Sequence, residues 1–259
     1  MSLAGLRSAV FEARRLAEEL EGDAPARVGP VVVSGMLCEQ LARQLEAGAD
    51  RGAVVVDGQS RLAGASALVH VIAGDPSPGD SALVRAADRH GVPVVLVQLW
   101  PQDDWTPPFV LTPFVVECET GKGFPIDEIA RQLAAAVEDA HALARRIPAL
   151  QEEVAGRLVR ASVIRSAVVG ATGGAARPLL ALEQVRLAAR LRVAQGEPTL
   201  DGARVATGIA AGALVLSYAL RGVARKARTT LPGPLVNTVL AVGATWALGE
   251  ALRRFEIGR

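Results

Sequence analysis

Five short valine-rich segments, separated by helical patterns, constrain the fold of this 259-residue chain more than any other feature. These continuous apolar runs, each bounded by turn residues, lie at 30–34, 53–56, 67–72, 93–99 and 113–117. Helical patterns separate several of them, at 37–47, 80–90 and 125–145. Strands that are apolar throughout are typical of a parallel sheet covered on both faces. We therefore predict an α/β domain with a mainly parallel sheet and flanking helices.

The pattern changes near residue 147, after which helical segments follow one another without strands. They cover 148–169, 178–194, 200–227 and 235–255, and glycine- or proline-rich breaks separate them. At the other end of the chain, residues 1–22 have the apolar stripe of an amphipathic helix. We predict an N-terminal helix at 1–22, an α/β domain at 23–146 and an all-α, small-residue-rich helical domain at 147–259.

The net charge of +1 conceals a difference between the two halves. Residues 1–147 carry 13 Lys and Arg against 20 Asp and Glu, whereas residues 148–259 carry 15 against 7. The first half is therefore acidic and the second basic. Cys38 and Cys118 are too few and too far apart for a disulfide framework, and no secretory signal is evident. We expect a cytoplasmic protein that does not bind nucleic acid.

The first predicted strand ends at Gly35, where a phosphate-binding loop would begin. Such a loop, G-x-x-x-x-G-K-[ST], cradles phosphates with backbone N–H groups and neutralises them with a lysine. The residues that follow here are Met36, Leu37, Cys38, Glu39 and Gln40. The nearest register places Glu39 at the lysine position, where its negative charge repels phosphate. The sequence thus predicts a strand of nucleotide-binding type without a working phosphate loop.

Residues 67–137 resemble the second half of a small bacterial GTPase of the Era/translation-factor class. The segment ALVHVIAGDPSPGDSALVRAADRHGVPVVLVQLWPQDD matches the family's strand, helix and GVPVVLV strand. The resemblance implies a GTPase-like fold, with Leu99, Trp100 and Gln102 in place of the guanine-reading Asn, Lys and Asp. Neither Leu99 nor Gln102 offers the charged acceptor that guanine needs. A register slip onto Asp103 or Asp104 keeps residual nucleotide binding open.

Two further segments of the chain also differ from that family's functional motifs. Asp57 begins a D-G-Q-S segment at the position of the D-x-x-G magnesium switch, but its fourth residue is Ser60. We interpret it as a turn that carries one Asp. The segment VVECETGKGFPIDEIARQLAAAV resembles the final strand and helix, with a Glu-Cys-Glu sequence at 117–119 where Ser-Ala contacts the base. Lys122 in this segment is interpreted as a solvated turn residue.

The second half resembles the helical domain of unknown function that follows the G domain in some bacterial GTPases and that also forms YcjF-type proteins. The segments LLALEQVRLAARLRVAQGEPTLDGA and LPGPLVNTVLAVGATWALGEALRRFE carry this resemblance. Its shared positions are Gln184, Val185, Leu187, Gly196, Thr245, Ala247 and Gly249. Some members of the family are described as membrane proteins, and no activity of the domain follows from the resemblance.

The two longest uncharged helical stretches are marginal for crossing a bilayer. Residues 235–249 would cover roughly 22 Å of an approximately 30 Å hydrocarbon core, and residues 205–220 are only one residue longer. If both crossed, their connection would place Arg221, Arg225, Lys226 and Arg228 opposite the cytoplasm, against the positive-inside tendency. We favour a packed helical domain with a peripheral membrane contact over a spanning hairpin.

Several other residues have side chains of types that often serve in binding or catalysis. Trp100 and Trp105 lie among prolines and form either a lid over the strand ends or an aromatic anchor for a partner, and both interpretations stay open. The three histidines, His70, His90 and His141, lie far from one another and from the cysteines in sequence, which favours core or surface roles over metal binding. The Ser-Gly pair at 34–35 does not complete G-x-S-x-G, so we predict no nucleophile elbow.

Together these features favour a non-catalytic pseudo-GTPase, an interaction or scaffold protein without cofactor or metal. By family analogy its partner is an active GTPase of similar architecture. The candidate interaction residues are Trp100, Trp105, Arg221, Arg225, Lys226 and Arg228. Two alternatives remain: a divergent GTP-binding protein or GTPase, and a membrane-associated structural protein whose basic half faces anionic lipid at the inner face of the membrane.

Overall fold

The computed structural model of the chain describes residues 28–57, 59–101, 113–171, 177–196 and 232–257. Contacts between Cα atoms divide these residues into two units. An α/β unit takes the described part of Pro25–Val154 together with Ala194–Gly196, and a helical unit takes the described parts of Ala155–Val193 and Glu197–Arg259. The predicted helices at 1–22 and 200–227 lie outside the described residues.

The α/β unit is built on five parallel strands. They are β1 (Val31–Gly35), β2 (Val54–Val56), β3 (Ala67–Ala73), β4 (Val94–Leu99) and β5 (Phe114–Cys118). Their order across the sheet is β2-β1-β3-β4-β5, and every neighbouring pair is parallel. All five predicted runs form strands, with bounds within one residue of those expected. This confirms the predicted α/β class, and the architecture is compatible with a P-loop-like domain.

Four helices flank the sheet in the described part of this unit. They are α1 (Cys38–Leu45), α2 (Pro78–Arg89), α3 (Ile126–Ala136) and α4 (Ala140–Arg146). The sequence predicted one helix at 125–145, but the structure divides it in two. Val137 adopts an extended conformation and Asp139 precedes α4 with non-helical dihedrals. Valine and aspartate are weaker helix formers than the alanines before them, which favours the break at this point.

The α2 helix covers one face of the sheet. Its start is defined by a capping box, in which Ser77 and Asp80 each accept a hydrogen bond from the other's backbone N–H. Leu83 and Ala87 of this helix share a buried cluster with alternate residues of the strands. Because side chains alternate along a strand, the residues that point toward α2 include Ser34 on β1 and His70 on β3.

The helical unit contains most of three long helices. They are α5 (Gln151–Ala171), α6 (Arg177–Ala194) and α7 (Gly233–Ile257). Val159, Leu187 and Leu191 form its apolar core, and Leu252 packs against it. The predicted helices at 148–169, 178–194 and 235–255 are confirmed, except that the first begins with a 3₁₀ turn at Pro148–Leu150.

Within the described residues, α7 contains one stretch, Leu235–Arg253, that is long and apolar enough to cross a membrane. Only 28% of its most apolar part is buried. The core helix of a soluble protein, which is mostly buried, passes the same test of length and composition. The low burial of Leu235–Arg253 is compatible with either a soluble or a peripheral membrane location.

Candidate functional site

The strand order places a candidate ligand site at the carboxyl ends of β1 and β3. From β1 the chain continues to β2 on one side and then to β3 on the other, so the direction of winding reverses between β1 and β3. Open parallel sheets bind ligands outside the carboxyl ends of the strands at such a point. A cavity of about 410 Å³ lies there, with Ser34, Cys38, Asp57, His70, Asp80 and Leu83 among its lining residues.

The connection between β1 and α1 is too short to wrap a phosphate chain. Only Met36 and Leu37 separate the two elements. The Met36 N–H donates a hydrogen bond of 3.0 Å to the carbonyl oxygen of Val71 on β3. Gly35 has a φ of 91°, and a Cβ built there would lie 2.0 Å from the same oxygen. The chain therefore passes directly against β3 where a phosphate loop would bulge outward.

The first turn of α1 presents acidic and polar side chains at this edge. Glu39 and Gln40 are exposed, and Cys38 is half-buried. A helix N-terminus attracts negative charge, which is why it binds phosphates. Glu39 places a carboxylate at this N-terminus, so a side chain already supplies the negative charge that a phosphate would bring.

Of the positions compared with the guanine-reading motif, the structure describes Leu99 and Trp100. Leu99 is buried at the end of β4 and contributes an apolar side chain to the core. The Trp100 N–H donates to the carbonyl oxygen of Cys118 at 2.8 Å. Gln102, Asp103, Asp104 and Trp105 lie outside the described residues.

The other segments compared with GTPase motifs form local contacts. Asp57 accepts a hydrogen bond of 2.6 Å from the Ser60 hydroxyl and lies 3.7 Å from the Arg61 guanidinium. Lys122 pairs with Glu119 at 2.6 Å on an exposed turn. In the final strand Glu117 is exposed and Cys118 is buried. Burial, together with the nearby Glu119 charge, raises the pKa of the Cys118 thiol.

Four large apolar side chains are exposed at the carboxyl edge of the sheet, and we call them the edge patch. They are Met36, Leu37, Val56 and Trp100, each between 44% and 49% exposed. Leu37 and Trp100 are also the only non-glycine residues of the described chain with positive φ, at 55° and 50°. Strained backbone conformations of this kind cluster at functional sites.

A hydrogen-bonded chain of three side chains lines the cavity. The Ser34 hydroxyl lies 2.8 Å from His70 Nδ1, and His70 Nε2 lies 2.9 Å from Asp80 Oδ1. Ser34 and His70 are buried cross-strand partners. The other carboxylate oxygen of Asp80 accepts the Ser77 N–H at 2.7 Å.

The pKa values of this chain determine where its protons lie. Burial lowers the pKa of His70 and outweighs the Asp80 hydrogen bond, the Asp80 charge and a hydrogen bond to the Ser34 backbone, so the imidazole is neutral near pH 7. Burial acts to raise the pKa of Asp80, but hydrogen bonds from Ser77 and His70 outweigh it and hold that pKa below its usual value. Because ionised Asp80 can only accept, Nε2 carries the His70 proton and Nδ1 accepts the Ser34 hydroxyl proton.

Sequence reasoning missed this arrangement. Ser34 and His70 each interrupt an apolar strand with one polar residue, and Asp80 belongs to the S-x-x-D pattern of a capping box. Those are the signals available in the sequence, and none of them indicates that the three side chains meet. The cross-strand register that joins them becomes visible in the structure.

Among the described residues, no group of three or more His, Cys, Asp or Glu side chains could hold a metal ion. Arg221, Arg225, Lys226 and Arg228 lie outside the described residues.

Comparison of the chain with protein-family models, curated proteins and solved structures found no significant match.

Proposed function

We propose that this protein is a pseudo-GTPase, an interaction or scaffold protein that performs no nucleotide chemistry. The two-residue connection from β1 to α1 is the observation that carries the proposal. It lies against Val71 and is followed by Cys38 and Glu39, so it supplies neither the length nor the charge that a phosphate chain requires. Leu99 and Trp100 provide no substitute for the acceptor that reads guanine.

The edge patch supports an interaction role at the surface where a GTPase would hold its nucleotide. Aromatic and large apolar residues are common anchors of protein interfaces. Four of them are exposed at one edge of the sheet, and two of these four have strained backbone conformations. Both features cost stability unless a partner covers this edge. By analogy with the family that the sequence resembles, the partner is a GTPase of related architecture, and Trp100 is one anchor.

Titration of the full chain with GTP, GDP and ATP, each with magnesium, tests the loss of nucleotide binding. Calorimetry should show no saturable heat at nucleotide concentrations up to about 1 mM, a limit that corresponds to about −4 kcal/mol of binding free energy. Micromolar affinity for a guanine nucleotide would overturn the proposal and support the divergent GTPase instead.

The variant Glu39→Lys tests which defect disables the site. It restores the positive charge but not the length of the loop, so we expect neither binding nor turnover. The matched control is Gln40→Lys, which adds the same charge one position along α1. Measurable GTP hydrolysis by Glu39→Lys alone would contradict the role assigned to the short connection.

A membrane-associated structural role is the second candidate, and the surface of α7 favours it. Leu235, Val239 and Trp246 are each more than half exposed. Their spacings of four and seven residues place them on one face of the helix. An apolar face on a helix from the basic half of the chain suits the surface of an anionic bilayer.

A further inference from the structure

We propose that Ser34 is a nucleophile for acyl transfer, activated by His70 and Asp80, and that the cavity beside it takes a small, uncharged carboxylic ester. This inference goes beyond the pseudo-GTPase proposal and does not depend on it, because it requires no nucleotide. It stands on the geometry of three side chains that the structure brings together at the point where open parallel sheets bind ligands.

The three side chains have the hydrogen bonds that activate a serine. The Ser34 hydroxyl donates to an imidazole nitrogen at 2.8 Å, and the second nitrogen donates to an ionised carboxylate at 2.9 Å. In the familiar serine triad the hydroxyl bonds Nε2 and the carboxylate bonds Nδ1. Here the two nitrogens exchange roles. A neutral imidazole accepts a proton at whichever nitrogen lacks one, so His70 Nδ1 can serve as the general base.

The carboxylate is itself held in place. Asp80 receives the Ser77 N–H at 2.7 Å on the oxygen that His70 does not use. His70 is 2% exposed and is fixed from both sides. A base oriented by a third group is the arrangement expected around an activated nucleophile.

The cavity itself favours an uncharged substrate over a phosphorylated one. Asp57 and Asp80 both line it, so it repels anions. Val56 and Leu83 add apolar surface suited to an ester's carbon groups. Cys38, in the first turn of α1, also lines the cavity, and this helix begins without a side-chain cap. The N-terminus of α1 is therefore adjacent to the cavity lining.

The reaction proceeds in two balanced steps. Ser34 Oγ forms a bond to the carbonyl carbon while its proton moves to His70 Nδ1, and that proton then passes to the departing alcohol as the ester C–O bond breaks. Water next attacks the Ser34 ester with Nδ1 again taking the proton. The bond between the acyl carbon and Ser34 Oγ then breaks as Nδ1 returns its proton to Oγ, which releases the acid and restores the Ser34 hydroxyl. No oxidation or reduction takes place, and water is the only co-reactant.

Diisopropyl fluorophosphate tests the nucleophile without knowledge of the natural ester. It reacts with activated serines, because Oγ displaces fluoride from phosphorus. We expect intact mass analysis of the full chain to show one adduct and peptide mapping to place it on Ser34. Ser34→Ala should lose the adduct, whereas Ser66→Ala should keep it, since Ser66 hydrogen-bonds Gly29 at the opposite edge of the sheet.

The contribution of His70 is measured by the rate of labelling. His70→Gln should slow labelling by about 100-fold or more, the range lost when a general base is removed. If that variant does not fold, Asp80→Asn replaces it in the test, since the amide of Asn can still cap α2. We expect Asp80→Asn to slow labelling by about 10-fold or more. Wild-type labelling should fall as the pH drops below the range where the imidazole is neutral.

If Ser34, His70 and Asp80 form a hydrogen-bond chain with only a structural role, the labelling experiment gives different results. Absence of any Ser34 adduct in the folded wild type at pH 8, an adduct spread over exposed serines, or equal labelling rates in wild type and folded His70→Gln would each overturn the proposal. None of these outcomes bears on the nucleotide titration, so the two proposals fail separately.

Discussion

Leu37 and Trp100 hold a left-handed backbone conformation that residues with a side chain rarely adopt. Such strain costs about 1–3 kcal/mol per residue. Both side chains are exposed over nearly half their surface, so burial in the core does not compensate for the strain. Leu37 is also the N-cap of α1 and makes no side-chain cap, a role in which Asn, Ser or Asp performs better. At the residue scale, these positions are not optimised for stability.

The variant Leu37→Asn should be more stable than the wild type. Asn tolerates positive φ better than Leu and adds a cap, so we expect the free energy of unfolding to rise by about 1 kcal/mol. Urea denaturation of the two proteins measures the difference. Leu37→Ala is the matched control, because it removes the same apolar side chain but keeps the strain and adds no cap. A Leu37→Asn protein no more stable than Leu37→Ala would show that the conformation is unstrained.

At the scale of elements, α5 and α7 pack closely through small residues. A Cβ on Gly170 of α5 would lie 2.9 Å from the Thr238 Cα, and one on Gly249 of α7 would lie 2.6 Å from a methyl of Val159. Between these contacts, the buried Ser166 and Thr245 hydroxyls hydrogen-bond at 2.9 Å. Small residues that let two backbones approach, with a hydroxyl pair between them, occur in both membrane and soluble helix pairs.

Glycine-to-alanine substitutions should have opposite effects on the free energy of unfolding at Gly170 of α5 and at Gly243 of α7. Gly170→Ala should lower the free energy of unfolding by about 1–3 kcal/mol, because its new methyl meets backbone that cannot yield. Gly243→Ala, on α7 with open space around its Cα, should raise it by about 0.5–1 kcal/mol through helix propensity alone. Chemical denaturation of both variants provides the comparison. Equal effects at the two sites would mean that the helices do not pack as described.

At the scale of the whole molecule, the charge is divided between an acidic first half and a basic second half. A basic segment is attracted to anionic lipid, and salt screens that attraction. The exposed apolar face of α7 adds a contact that salt does not screen. A peripheral membrane protein of this kind would bind anionic vesicles without crossing them.

Flotation of the full chain with phosphatidylserine vesicles should show binding that falls at high salt or in carbonate. Val239→Ser combined with Trp246→Ser should weaken it, and so should replacing Arg221, Arg225, Lys226 and Arg228 with Gln. The control Val56→Asn changes an exposed apolar residue of the α/β unit and should leave flotation unchanged. Release by detergent alone, with the quadruple variant still bound, would instead mean that helices cross the bilayer.

Parts of this protein could be predicted because they depend on neighbours in sequence. Burial on both faces makes each strand a continuous apolar run, so all five strands and the α/β class were predicted correctly. The short connection after Gly35 and the acidic Glu39 could likewise be read from residue order alone. The division of 126–146 into two helices was missed, since helix propensity at Val137 and Asp139 is only slightly weaker than at their neighbours.

What the tertiary structure decided concerns residues far apart in sequence. Strand order determines which carboxyl ends meet, and register places Ser34 opposite His70, 36 residues away. Asp80 joins them because the capping box orients its side chain while α2 packs on that face. Local patterns report each residue's own burial and periodicity, but not its cross-strand partner. The sequence by itself therefore determined the five strands, most of the described helices and the short connection after Gly35, whereas packing alone brought Ser34, His70 and Asp80 together and exposed the edge patch.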